Sequence, residues 1–565
     1  MSAPTPSTLN EAIDKDEGGK IFEHPFEIGP ERRTVFNKPS LPQGEDYAPS
    51  SPEARVADAT TQLGLDFINT LPVENNKGNV VISPLSLECL LNMLLLATTD
   101  NSTTQKELIK VLNYDRTELY GSTNDRLKPH EALHNVFDNI MRATHLSVNS
   151  NLMNANTGEL SHEPKVQENE KITAHLQTSL RENDTPLTQQ VNFTLANLVL
   201  TNKKLIQLDP SYEQDLKKYY DVTMEEFEDR VSPKNASAKA TKNDIPLHER
   251  VNNWVKKRTQ NQIEKIANEG DLEPEDLVMV LLNAAHFKGR WLHTFNPKVT
   301  REMTFFNNGL EKGATPTSFM RQKGVFGYAD FGSATLQAEG LNAEGGGKIN
   351  SPEDAETLLT VDVADAKSSN SADQAPVIEL SKEESRRLEL TSKLNCSVLM
   401  LPFSLNDGQE LSMVIILPAK TDGLPELQAA LTGPALNEIY RSLSEQQVQV
   451  ELPKFSLEGS HDAKSSLLNL GLKSIFSDEA DFERLYKANS TSTKVSAKVD
   501  KIIHKAKISV DEIGAEAAAA SMAAIVLRNF IRPPTPVFVA DHPFLFVIRH
   551  NRSNMPLFMG RVNSL

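Results

Sequence analysis

The chain has 565 residues, and its 59 Lys and Arg stand against 76 Asp and Glu, a formal net charge of −17 that repels phosphate backbones and argues against a nucleic-acid binder. Apolar residues make up 39% of the chain, and no window reaches the roughly 18 unbroken apolar residues that a membrane helix needs. Two cysteines, Cys89 and Cys396, exclude a disulfide scaffold and a four-thiolate metal site.

Residues 1 to about 55 hold scattered Pro, Gly and charge with no apolar period, and read as a disordered extension. The opening MSAPTPSTLNEAIDKDEGGK lacks the basic start and apolar core of a secretory signal as written. Order is expected from Val56, where Ala59, Leu63, Phe67 and Leu71 recur four apart on one helix face. Val80 to Ile82 predict a short strand, and Ser83-Pro84 suit a helix cap and first position. The run Leu85 to Leu96 is apolar nearly all round, so its helix belongs inside. TTQKELIKVL predicts a further helix.

Residues 115–190 are mostly polar and read as a loop-rich insertion with one helix near 131–146. VNFTLANLVLTNK predicts a strand. HERVNNWVKKRTQNQIEKI predicts an amphipathic helix with Val251, Trp254 and Val255 on its apolar face, and LVMVLLNAAHFKG a strand buried on both faces. Residues 333–390, with their three glycines at 345–347 and an excess of acid, read as a second insertion. Strands then return in SVLMLPF, LSMVIILP, VQVELPKFSLEG, HKAKISV, VFVADHPFLFVIRH and PLFMGRV, with a short helix in SSLLNLGLKSIF. The fold class is α+β, with helices gathered early and strands dominating the end.

Enzyme signatures fail. Gly347-Lys348 is followed by Ile349 and so makes no phosphate loop; neither HExxH nor GxSxG occurs; no His pairs with a Cys at ligand spacing. Cys89 and Cys396 suit inert core thiols. No cofactor and no metal are expected.

The unusual stretch is VDEIGAEAAAASMAAIVLRNFIRPPTP, from Val510 to Pro536. Alanine alone favours a helix. Its setting does not, because KAKISV alternates like a strand before it and Pro533, Pro534 and Pro536 block a helix after it.

From Val56 to Leu565 the sequence resembles the serpins, serine protease inhibitors of the trapping kind. The matching motifs, in family order, are NVVISPLSLECLLNML, LLNAAHFKGRWLHTF, VELPKFSLEG, HKAKISVDEIGAEAAAAS, DHPFLFVIRH and PLFMGRV. The resemblance implies a serpin fold of three β-sheets and about nine helices, with an exposed reactive-centre loop at about 514–536. A protease cleaves the loop, and the cut part inserts as a new strand into the main sheet, carrying the acylated protease with it. The implied hinge is Glu512 and Gly514, continuing through Ala515, Ala517 and Ala519. Ser83, Ser86, Asn283 and His504 match a hydrogen-bonded cluster beneath the point where the main sheet opens, and Trp291 matches the aromatic where insertion begins. Two hinge positions depart from the family pattern: Ile513 replaces a usual charged residue, and Ala515 the commoner Thr or Ser.

The residues themselves permit insertion. A strand shows alternate side chains to its two faces. One phase holds Ala515, Ala517, Ala519, Ser521, Ala523 and Ile525; the other holds Glu516, Ala518, Ala520, Met522, Ala524 and Val526, so the one charge falls on a single face. No Pro interrupts Gly514 to Arg528. About a dozen ladder bonds at roughly 1 kcal/mol each would contribute on the order of 10 kcal/mol, comparable to a domain's stability. In the family's inhibitory members the scissile bond lies at a nearly fixed distance beyond the hinge glycine, so the resemblance implies a reactive bond 14 residues on from Gly514, at Arg528–Asn529. Arg there suits a trypsin-like protease with a carboxylate in its primary pocket. Arg532 is the rival, disfavoured because Pro533 follows it. The expected partner is therefore a trypsin-like serine protease engaging a monomer, without nucleic acid or membrane. The alternative is a non-inhibitory serpin acting as carrier, chaperone or storage protein. The reading leans to an extracellular protein, with the cytoplasm as alternative. Sequons at Asn101, Asn192, Asn235 and Asn489 are candidate glycosylation sites.

Overall fold

In a computed structural model of the chain, the residues described are 51–71, 78–120, 126–149, 191–228, 245–273, 277–310, 313–332, 390–391, 393–405, 410–486, 497–512 and 535–565. Among them the helices are α1 (Pro52–Thr70), α2 (Pro84–Ala97), α3 (Thr103–Val111), α4 (Lys128–Asn149), α5 (Pro210–Tyr220), α6 (Leu247–Arg258), α7 (Leu424–Ala430), α8 (Gly433–Ser442) and α9 (Ala463–Asn469). The strands are β1 (Val80–Ile82), β2 (Val191–Asn202), β3 (Val222–Phe227), β4 (Met279–Gly289), β5 (Arg301–Phe305), β6 (Thr315–Asp330), β7 (Cys396–Pro402), β8 (Leu411–Pro418), β9 (Ser444–Pro453), β10 (Phe455–Asp462), β11 (Lys501–Val510), β12 (Val537–Val539), β13 (Phe544–His550) and β14 (Pro556–Val562).

Local chemistry starts the helices. Side-chain oxygens of Ser51, Ser83, Ser102 and Asp209 accept the first orphan amides of α1, α2, α3 and α5, with Pro in the first turn of α1, α2 and α5. Helix α6 stops at Arg258, short of the helix anticipated through Ile266. Gln260 and Asn261 take left-handed φ of 51° and 63°, and the Asn261 amide turns back to the Lys256 carbonyl at 2.8 Å. The polar region after Tyr114 contains packed structure: Leu119 is buried and α4 runs 22 residues.

The strands form two hydrogen-bonded ladders. One has five strands in the order β10-β11-β4-β2-β3; the other runs β1-β14-β13-β8-β7-β6-β9-β12, with β5 on β6. The three expected sheets appear in this form because β6 joins two of them: its Phe319–Tyr328 pair with β9 and its Gly327–Asp330 with β7, so Gly327 and Tyr328 are the residues shared between β9 and β7. VQVELPKFSLEG is divided between the two ladders after Pro453, and VFVADHPFLFVIRH is broken at Ala540–Pro543.

Strand β4 is buried on both faces, as its unbroken apolar run requires. Leu281, Ala285 and Phe287 join the main core with α2, while Val280, Leu282 and Ala284 join a second core under α6. Gly560 of β14 packs so closely on β1 that an added Cβ would lie 2.1 Å from the Val80 carbonyl oxygen and 2.5 Å from the Phe546 ring. Gly560→Ala must push β1 away from β14. We expect a loss of about 3 kcal/mol, measured as a lower urea midpoint at unchanged m-value.

Candidate functional site

In the five-stranded sheet β10 meets β11, and β2 meets β4, in antiparallel pairs; between them β11 and β4 run parallel, with Lys501 opposite Val280 and Ile508 opposite Phe287. Parallel pairs are slightly the weaker per residue; β2 also pairs in parallel with the edge strand β3, but the β11–β4 line is the parallel pair flanked on both sides by antiparallel ones, and so is a seam inside the sheet.

One face of the seam is closed by a directional relay. The Ser83 amide at the start of α2 donates to His504 Nε2 at 2.9 Å. A backbone amide can only donate, so Nε2 is the bare nitrogen and Nδ1 carries the proton. That proton goes to Asn283 Oδ1 at 3.0 Å across the seam, Asn283 Nδ2 donates to Asn197 Oδ1 at 2.7 Å, and Asn197 Nδ2 reaches the Tyr220 carbonyl at 3.4 Å. The Ser86 hydroxyl donates to Ser83 Oγ at 2.7 Å. Ser83, Ser86, Asn283 and His504, singled out from the sequence, are thus brought together, and all four are fully buried. Asn197 of β2 completes the relay and was missed; its signal was a lone amide in the apolar run ANLVL.

Burial lowers the His504 imidazole to about 3, with His461 across the β10–β11 ladder adding to the effect. It enters the fold neutral, as the relay demands.

On the opposite face three ammonium groups of β11 hold the chain that follows α6. Lys501 donates to the Asp271 carbonyl at 2.6 Å, Lys505 to that of Lys265 at 2.5 Å, and Lys507 to that of Gln262 at 2.9 Å.

At the upper end of the seam the Trp291 indole stacks on Phe403, with ring centroids 4.6 Å apart, and its Nε1 donates to the Asp511 carbonyl at 2.8 Å. Glu512 is the last described residue before the alanine-rich segment. Its carboxylate meets Lys454 Nζ at 2.8 Å and the Thr300 hydroxyl at 2.9 Å, and its carbonyl accepts from the Phe295 amide at 3.0 Å. Partial burial raises the carboxyl, but Lys454 and Thr300 outweigh it and leave Glu512 below the ordinary range. On the far side Pro536 accepts from the Gln449 amide at 2.9 Å, and β12 pairs with β9. The segment therefore leaves from and returns to β9 and the turn that follows it. Gly514, Ala515, Ala517, Ala519, Arg528 and Asn529 lie outside the described residues, as do Asn235 and Asn489. Asn101 is exposed in a left-handed turn; Asn192 is half-buried in β2. Cys89 and Cys396 are buried free thiols, and burial pushes Cys396 to about 12 and Cys89 further.

Two outcomes follow. Asn283→Leu strands the His504 N–H and Asn197 Oδ1 inside the fold, and should cost about 2–5 kcal/mol in denaturant unfolding. His504 titrates near 6.5 when unfolded and near 3 when folded, so its contribution is present above about 6.5 and is lost as pH falls toward 3. Buried His130, His286 and His550 are lowered in the same direction. His504→Gln should remove one proton's share of the acid slope, about 1.4 kcal/mol per pH unit, in unfolding free energies between pH 5.5 and 4.

The family model described as Serpin (serine protease inhibitor) matches residues 58–345 and 367–565. Human Serpin B4 is 26% identical over 512 residues, covering 90% of this chain and 99% of its own. Pig leukocyte elastase inhibitor is 25% identical, with the same two coverages. The crystal structure of uncleaved ovalbumin superposes with a TM-score of 0.58 at 20% identity, over 90% of this chain and 100% of its own. No described helix is long and apolar enough to cross a membrane. A sheet parted by a parallel seam, its buried Ser-His-Asn relay and the family match over most of the length place this chain in the serpin family.

Proposed function

We propose that the chain inhibits a trypsin-like serine protease by offering Arg528–Asn529 as bait and then closing the β11–β4 seam with its own loop. The protease serine oxygen attacks the Arg528 carbonyl carbon. The bond to Asn529 breaks, its nitrogen leaves with a proton as a new amino terminus, and Arg528 stays joined to the enzyme as an ester. The segment after Glu512 then turns back beside β11. A strand entering there runs opposite to both β11 and β4 and converts one parallel contact into two antiparallel ones.

The observation that carries this reading is the parallel seam, met at its upper end by the chain that leaves β11. The small, proline-free sequence from Gly514 to Arg528 supports it, since each of its residues can join a ladder. So does the pig relative, named a leukocyte elastase inhibitor. Arg528 points this chain to trypsin-like enzymes. A monomer acting on one protease outside the cell, with Asn101 as the sterically open sequon, belongs to the same proposal; a glycan on Asn101 of protein recovered from culture medium would test that location.

Mixed with trypsin, the protein should give a band of summed mass that survives boiling in denaturant, with Arg528 at the junction by mass spectrometry. Cleaved chain alone would reject inhibition. Arg528→Ala should lower the association rate with trypsin by at least about a hundredfold. Cleavage in the loop by an unrelated protease should raise the melting temperature, because the freed strand adds ladder bonds. No rise would favour the carrier or storage reading.

A further inference from the structure

Glu88 is the one charged-type residue of helix α2, and it is fully buried. The Tyr114 hydroxyl, from the chain following α3, donates to Glu88 Oε1 at 2.6 Å. Asn92, one turn along α2, places its Nδ2 3.3 Å from the same oxygen and 2.7 Å from the Tyr114 hydroxyl. Two buried acceptors are left without a donor: Glu88 Oε2 and Asn92 Oδ1. No Lys or Arg among the described residues pairs with this carboxyl. An ionised carboxylate so placed would carry a bare anionic oxygen in an apolar interior, among the costliest arrangements a fold can hold.

One proton settles both groups. A carboxylic acid donates through its own O–H, and the vacant acceptor sits one helical turn away. We propose that Glu88 folds as the neutral acid with its Oε2–H donated to Asn92 Oδ1, and that this proton seats α2. Ionisation at alkaline pH then loosens the helix and, with it, the Ser83 amide that α2 holds against His504.

The surroundings offer no substitute for the proton. From α4, His130 faces the Tyr220 hydroxyl, and burial holds its imidazole neutral, with Nε2 unpartnered; His134 lies against the Tyr219 ring. From α5, the Tyr212 hydroxyl donates to the Met93 carbonyl, and burial pushes both Tyr212 and Tyr220 upward. On α2 itself the Cys89 thiol is pushed up by burial. From β14, Arg561 is engaged with the Gly78 and Leu71 carbonyls and with Gln428; from α1, Asp58 receives Asn437 and Asp66 receives Gln62. From β2 and β4, Asn197 and Asn283 belong to the relay. Burial lifts Glu88 itself from 4.5 to about 8, against the opposing pull of Tyr114 and Asn92.

Between those two values the folded chain holds one proton that the unfolded chain has released, so stability falls as pH rises through the window and is level below it. This runs opposite to His504, whose effect ends near 6.5. The uncut protein alone serves for the test, so the result does not depend on inhibition. Glu88→Gln keeps the shape and supplies a permanent donor. Relative to it, the wild-type unfolding constant should rise about tenfold per pH unit from pH 5.5 to 7 and level off above about 8. Infrared spectra at pH 7 should show an acid carbonyl band that Glu88→Gln lacks. Parallel stability curves, or no such band, would overturn the proposal. Should Glu88→Gln not fold, Tyr114→Phe removes a bond that favours the ionised form and should move the wild-type alkaline transition to higher pH; an unmoved transition would overturn it equally.

Discussion

The structure depends on one contact that is weaker than its neighbours. Strands β11 and β4 lie parallel inside a sheet whose flanking pairs are antiparallel, and His504 ties to Asn283 across that line. Hydrogen bonds of this kind stabilise by about 1 kcal/mol net, but cost more to leave half-made in a buried site. The seam is therefore held while the relay is whole. An apolar core would give adhesion without that all-or-none character.

Each element around the seam can be understood by which side of this balance it serves. Ser83 and Ser86 cap α2 and present the amide that fixes the His504 tautomer. The three lysines of β11 hold the chain following α6 over the opposite face. Trp291 and the Glu512–Lys454 pair fix the chain where it leaves the end of β11. The Glu512 carboxylate is nearly buried, and its pairing with Lys454 matters more than that of a surface ion pair.

Much of this was legible in the sequence, for physical reasons that differ by element. Strand β4 and helix α2 announce themselves because total burial demands uninterrupted apolar residues. Ser83, Ser86, Asn283 and His504 were recognisable through motifs, and the structure adds the donor order that no motif contains. Strands β5 and β6 were not read, because REMTF and TPTSFMRQKGVFGYAD interleave charges where the strands face outward. Helices α7 and α8 are only 7 and 10 residues long, too short for a clear period. The ladder topology was legible only as a count, since the double pairing of Gly327 and Tyr328 depends on partners remote in sequence. Asn197 and Glu88 share another cause: a single polar residue in an apolar run looks like tolerated noise until its partners are known.

Glu88 and His504 are best understood together, because α2 connects them. The N-terminal end of the helix supplies the amide that needs a bare imidazole nitrogen, and one turn further on its carboxyl needs a bound proton. Both groups are neutral in the fold, His504 by holding no second proton and Glu88 by taking one up. The rigid helix is then seated at both points only between the pH where His504 would gain its proton and the pH where Glu88 would lose its own.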